Sequence, residues 1–275
     1  MNFQKKLNNI IKKNNSLVCI GLDVDIDKLP KHLLEKNDPI FKFNKEIINK
    51  THDLVCTYKP NIAFYEAHGI EGLESLKKTI NYLRSNYPEV PILLDAKRGD
   101  IGNTAAMYAK SIYEYWDVDA TTVYPYLGLD AVSPFLKYKD KCTILLIKTS
   151  NPDSKMFQDK KVINGTSSDP FYYAMAKEIK TWNLGNIGLF VGATYPEELK
   201  NVRELFPDYP FLTAGIGAQS GETEKAVKAG IDKNGRNLIC NNSRSIIYAS
   251  SNKDFAEKAR VKAIEMKDEI NKFRK

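Results

Sequence analysis

Four charged residues carry the strongest chemical signal in the chain. Asp95 and Lys97 stand two positions apart in the stretch DAKRGDIGNT (95–104), Asp100 follows behind a glycine, and Lys59 ends an earlier apolar run. Residues i and i+2 of an extended strand project from the same side, so Asp95 and Lys97 are expected to enter one site together while Arg98 points away. A lone ammonium or carboxylate is costly to desolvate. Two of each, alternating at close range, can stay ionised and oriented in a low-dielectric pocket. Such a network is preorganised to stabilise charge that develops during a reaction. A structural salt-bridge cluster at a strand end is the competing reading. For Arg98-Gly99-Asp100 taken alone, the alternative is an exposed adhesion signal.

A second signal lies in GIGAQSG (215–221). Its third glycine is displaced by one position from a dinucleotide fingerprint, which leaves a phosphate loop as the better functional reading and an ordinary turn as the bland one. Backbone N–H groups there precede a helix whose N-terminus favours anions, and Arg244 could add a bidentate contact. The three histidines, His32, His52 and His68, fall in helical or loop stretches and read as structural. Serine-histidine-aspartate catalysis and a metal cluster thereby lose their obvious candidates.

These residues need a frame that brings them together. Short runs rich in Val, Ile, Leu, Thr and Cys recur at 17–23, 54–60, 91–97, 120–124, 142–149, 187–192, 211–215 and 237–241. Between them lie stretches with helical apolar spacing, among them 41–52, 69–86, 104–116, 170–182, 220–229 and 253–275. Strands alternating with helices imply βα units and a parallel sheet, and eight strands in about 250 residues fit a (β/α)8 TIM barrel better than an open doubly wound sheet. Asp23, Asp25, Lys59, Asn61, Asp95, Lys97, Asp100, Thr149, Ser150, Asn151, residues 215–219, Ser243 and Arg244 then all follow strand ends. In a barrel those ends form one face, where the chemistry of this fold is placed.

The 275 residues, 43% hydrophobic and 27% charged, suit one barrel domain over 1–275. Its opening MNFQKKLNNIIKKNN lacks the features of a secretory signal and reads as an amphipathic first helix. No linker or low-complexity tract divides the chain. The segment 151–169, long, polar and turn-rich, reads as a lid. No apolar run approaches the roughly 18 residues of a membrane span. The net charge of +7 is scattered, which suits a solvated surface or a small phosphorylated ligand and disfavours nucleic acid. Cys19, Cys56, Cys142 and Cys240 each lie in an apolar run without a CxxC pair, and are expected to be buried reduced thiols of a cytoplasmic protein.

The segments GLDVD (21–25), YKPN (58–61), LLDAKRGDIGNT (93–104), KTSNP (148–152), VGAT (191–194), GIGAQSG (215–221) and NNSRSI (241–246), in this order, resemble the orotidine 5'-phosphate decarboxylase family, in its longer-chain subgroup. DAKRGDIGNT is the specific part of that resemblance. It implies a homodimeric (β/α)8 barrel that converts orotidine 5'-monophosphate to UMP and CO2 in pyrimidine biosynthesis without metal or organic cofactor. Lys59, Asp95, Lys97 and Asp100 would form its catalytic network, with Lys97 the proton donor. Asp100, Ile101 and Thr104 would serve the site of the other subunit. Asp23 and Asn61 would contact the ribose, Ser150 the pyrimidine, and Gln219 and Arg244 the phosphate, alongside the backbone at Gly215, Gly217 and Ser243. Two positions depart from the pattern: Ala214 stands where proline is common, and Ser243 where glycine is frequent. Metal-assisted sugar-phosphate barrels, which also use an Asp-x-Lys-x-x-Asp stretch, and a non-catalytic phosphate or nucleotide binder are the alternatives.

Overall fold

The computed structural model describes residues 1–216 and 220–274. Eight parallel strands form the central sheet: β1 Val18–Gly21, β2 Thr57–Lys59, β3 Leu93–Arg98, β4 Ala120–Val123, β5 Cys142–Lys148, β8 Ile187–Val191, β9 Phe211–Ala214 and β10 Leu238–Asn242. Two further strands, β6 Lys161–Asn164 and β7 Ser167–Pro170, pair separately as an antiparallel hairpin. The sheet runs in the order β2-β1-β10-β9-β8-β5-β4-β3. Its ends meet through the bridges Tyr58↔Ile92 and Asn61↔Asp95, so the sheet closes into a (β/α)8 barrel with the seam beside Lys59 and Asp95.

The strands form where the apolar runs predict them, because residues enclosed by barrel and helices must be apolar on both faces. β5, CTILLIK, is buried along its whole length. The helices carry local start and stop signals. Asn2 caps Phe3–Asn14 by accepting from Lys5 N–H, and Asn15, at φ +45, ends it in the left-handed conformation that asparagine tolerates. Asp38 caps Pro39–Thr51, with proline in the first turn. The stretch expected at 104–116 starts at Gly102 and ends in a π turn, Ser111–Tyr115.

Phe3–Asn14 closes the N-terminal end of the barrel. Its face of Phe3, Leu7, Ile10 and Ile11 is buried, while Gln4 reaches Asn237 (2.5 Å) and Lys6 reaches Asp119 (3.1 Å) at strand starts. All four cysteines are free and buried. His32 and His52 pack on Phe255 and Tyr87, in keeping with structural roles. Among the described residues no helix is long and apolar enough to cross a membrane.

The segment 151–169 is ordered rather than an irregular loop. It contains a 3-10 turn, Pro152–Ser154, a short helix, Lys155–Gln158, and most of the β6–β7 hairpin. Gly165, at φ +58, makes the hairpin turn, a backbone state open to glycine at low cost. Four-residue strands in a polar stretch leave too short an alternation to be read from sequence.

Candidate active site

The C-terminal strand ends converge as expected, and the centre of the site is Asp95. Its Oδ2 lies 3.1 Å from Lys59 Nζ and its Oδ1 2.7 Å from Lys97 Nζ. A third donor was not foreseen from sequence: the Thr122 hydroxyl donates to Asp95 Oδ1 at 2.8 Å and accepts from Lys97 N–H at 2.9 Å. Thr122 sits in β4, where a β-branched residue reads as ordinary strand former; only its register beside β3 exposes the role. The strand end that presents Lys97 is irregular. Lys97 has φ +44, and the β3–β4 register shifts between Leu94 and Arg98. Simple strand alternation is therefore not what aims its side chain. The shifted backbone, tied down through Thr122, brings Lys97 back onto Asp95.

Asp23 supplies the second carboxylate. Its Oδ1 is 3.6 Å from Lys59 Nζ, and its Oδ2 accepts from Ser243 Oγ at 2.8 Å. Two ammonium groups and two carboxylates thus stand in one cluster, with Asp23 in the place the sequence reading gave to Asp100. Burial disfavours both charges at the Lys59–Asp95 contact, but the partners outweigh it. The carboxylates of Asp23 and Asp95 hold the Lys59 ammonium above its ordinary range, and Lys59 and Lys97 hold the Asp95 carboxyl well below the usual carboxylate range.

Asp100 does not join this network within one chain. Its Oδ1 accepts from Ile101 N–H at 2.8 Å, and among the described residues no cation pairs with it. Gly99, packed against Tyr124, turns the chain outward after β3, and Ile101 and Thr104 are exposed. Arg98 points away as expected, bonding Glu66 and Ala96 O and packing under Tyr108, which makes the Arg98-Gly99-Asp100 tripeptide part of a strand end. Asp25, also at a strand end, caps a 3-10 turn and pairs with Lys28 instead of entering the site.

Around the cluster, Asn61 bridges to Asp95 through the backbone, and Ser150 stands two residues beyond the end of β5. Asp23, Gly215, Asn241, Ser243 and Arg244 line a cavity of about 880 Å3. Gly215 has φ +89, and Arg244 is exposed to this cavity. Gly217 and Gln219 lie outside the described residues. Gly21 explains how Ser243 fits: a Cβ at position 21 would lie 1.8 Å from Ser243 Oγ. Asp23 Oδ1 is buried without a hydrogen bond, with the Lys59 ammonium 3.6 Å away.

Fold and site together define a class: a (β/α)8-barrel enzyme with a network of two cations and two carboxylates beside a cavity suited to an anion. Residues 16–259 match the model of the orotidine 5'-phosphate decarboxylase / HUMPS family. The orotidine 5'-phosphate decarboxylase of Flavobacterium johnsoniae is 48% identical over 268 residues, covering 97% of this chain and 96% of that one. The structure of Leishmania donovani OMP decarboxylase superposes with a TM-score of 0.83 at 35% identity, covering 100% of this chain and 99% of that one. Leishmania donovani UMP synthase superposes with a TM-score of 0.85 at 36% identity, and this chain spans 57% of its length. The chain belongs to the orotidine 5'-phosphate decarboxylase family.

Proposed function

We propose that the chain is a carboxy-lyase that converts orotidine 5'-monophosphate to UMP and CO2 in pyrimidine biosynthesis, with Lys97 as proton donor. The observation that carries this reading is the Lys59–Asp95–Lys97 cluster, joined by contacts of 3.1 and 2.7 Å and tied through Asp23 to a cavity of about 880 Å3, in a chain of this family.

Breaking the bond from C6 to the carboxylate leaves the electron pair on C6 as a vinylic carbanion with little resonance help. The site must therefore place positive charge where that pair develops. Of the two lysines, Lys97 is the one with access, its side chain 40% exposed against 5% for Lys59. Its ammonium, steered by Asp95, would stabilise C6 and then pass its proton there, leaving a neutral amine that water reprotonates. Lys59 keeps Asp95 ionised and placed. Asp95 in turn would lie near the departing carboxylate. Asp23, which lines the cavity, and Asn61 would contact the ribose, and Ser150 is the candidate for the pyrimidine. Gly215, Ser243 and Arg244, with Gln219 and Gly217, would receive the phosphate, whose distant contacts can drive closure of the site. The hairpin part of 151–169 would supply that closure as a lid. Val162 of the hairpin lines a cavity of about 450 Å3 together with Tyr124, Tyr126, Phe157 and Phe171.

The reading includes a homodimer with shared sites. Asp100 stands outside its own chain's network, and Ile101, Met107, Tyr126 and Leu127 are exposed apolar side chains that a partner could cover. Four buried free thiols suit a reducing, cytoplasmic setting. Asp95 accepts from Lys59 at Oδ2 and from Lys97 and Thr122 at Oδ1. The test is spectrophotometric loss of orotidine 5'-monophosphate by the purified protein, with and without a chelator, alongside Lys97→Ala. Turnover untouched by chelator and abolished in a folded Lys97→Ala chain is the expected result. Chelator-sensitive turnover, or full activity without Lys97, overturns it.

A further inference from the structure

The first turn of segment 151–169 does not hang free over the site; it is bolted to the strand end that carries Ser150. Thr149 N–H donates to Gln158 Oε1 at 2.9 Å, and Gln158 Nε2 donates back to Thr149 Oγ1 at 2.8 Å. Thr149 Oγ1 in turn donates to Asn151 Oδ1 at 2.8 Å. One residue earlier, Lys148 is wholly buried, bonds Asp159, and lies 4.7 Å from the centre of the Tyr195 ring. From the opposite side, Thr194 Oγ1 donates to Ser150 O and Tyr195 OH to Asn151 O. Gly192 completes the grip, since a Cβ there would come within 2.8 Å of Ser150 Cα. Thr149 N–H, Ser150 O and Asn151 O are thus held, while the Ser150 hydroxyl has no hydrogen-bond partner among the described residues.

A side chain left free on so constrained a backbone is poised to bond a ligand with little entropy left to lose. We infer that Gln158 is a positioning residue for base recognition: its two-bond clamp on Thr149, backed by the Lys148–Asp159 pair, fixes where the Ser150 hydroxyl meets the pyrimidine. The segment then divides in two. Residues 152–159 belong to the specificity apparatus, and closure is left to the β6–β7 hairpin. This inference rests on the proposed pairing of Ser150 with the base.

Two ligands separate the base from the rest of the substrate. UMP presents base, ribose and phosphate; ribose 5-phosphate presents the last two only. Gln158→Ala should weaken UMP binding about tenfold, the scale of one well-placed hydrogen bond, and leave ribose 5-phosphate within about twofold. Gln158→Glu keeps the acceptor for Thr149 N–H and should recover much of the loss. Binding constants are measured by calorimetry on the full chain, with the melting temperature of each variant recorded. Equal weakening of both ligands, unchanged UMP binding, or no difference between Gln158→Glu and Gln158→Ala would overturn the inference. Failure of the underlying reading shows separately, as wild-type protein that does not turn over orotidine 5'-monophosphate.

Discussion

Asp95 is the residue on which the site depends, because it alone touches both lysines. Its depressed pKa and the raised pKa of Lys59 have opposite consequences for stability. A carboxyl lowered on folding contributes stability that is complete above about pH 4 and fades as the pH falls through its folded value; an ammonium raised on folding contributes below about pH 10 and fades above. Between these limits the pair is ionised in folded and unfolded chains alike. The melting temperatures of wild type and Asp95→Asn should therefore differ by a constant amount from about pH 5 to 9, and converge as pH drops below about 4. A difference indifferent to acid would mean that Asp95 is not held as a carboxylate. At this scale the sequence was partly transparent. Asp95, Lys97 and Lys59 announce themselves as charges in apolar runs, while Thr122 is hidden by its strand propensity and Asp23 by an assignment to the ribose alone. Lys148, a cation closing an apolar strand, carries no sign in the sequence that it is buried and paired.

At the scale of elements, the strands were legible because a barrel enclosed by helices demands apolar runs, and their ends fell within two residues of the expected ones except the start of β2, expected at 54 and found at Thr57. What escaped is how two strand ends fit together. Gly21 at the end of β1 leaves the space that Ser243, following β10, occupies to reach Asp23. Ser243, a departure from the family pattern, is thus tied to a glycine more than 200 positions away, a coupling that no local pattern reports. Gly21→Ala should drive the Ser243 side chain off Asp23 and lower kcat/KM by on the order of tenfold. Ser243→Gly removes the obstructing atoms, so the double variant should lose less than the product of the two single losses. Strictly multiplicative losses would show that the two positions do not interact. The β6–β7 hairpin was likewise not legible, since its pairing is antiparallel, brief and outside the barrel.

For the whole molecule, one chain assembles Asp23, Lys59, Asp95 and Lys97 but leaves Asp100 outside that network, followed by the exposed Ile101. A motif written contiguously in the sequence, Asp95 to Asp100, is split by the fold at Gly99. Spacing alone does not reveal that split, because both halves lie on the same ten-residue stretch; only the family resemblance implied it. The central claim is that a decarboxylating site needs Lys59, Asp95 and Lys97 from one chain and Asp100 from another. Mixing the inactive variants Lys59→Ala and Asp100→Ala tests it, because each heterodimer holds one site in which all four residues are intact. Random exchange makes half of the dimers mixed, so turnover of orotidine 5'-monophosphate should return to about a quarter of the wild-type level per chain. Heterodimers verified by mass that remain as inactive as either parent would contradict the claim.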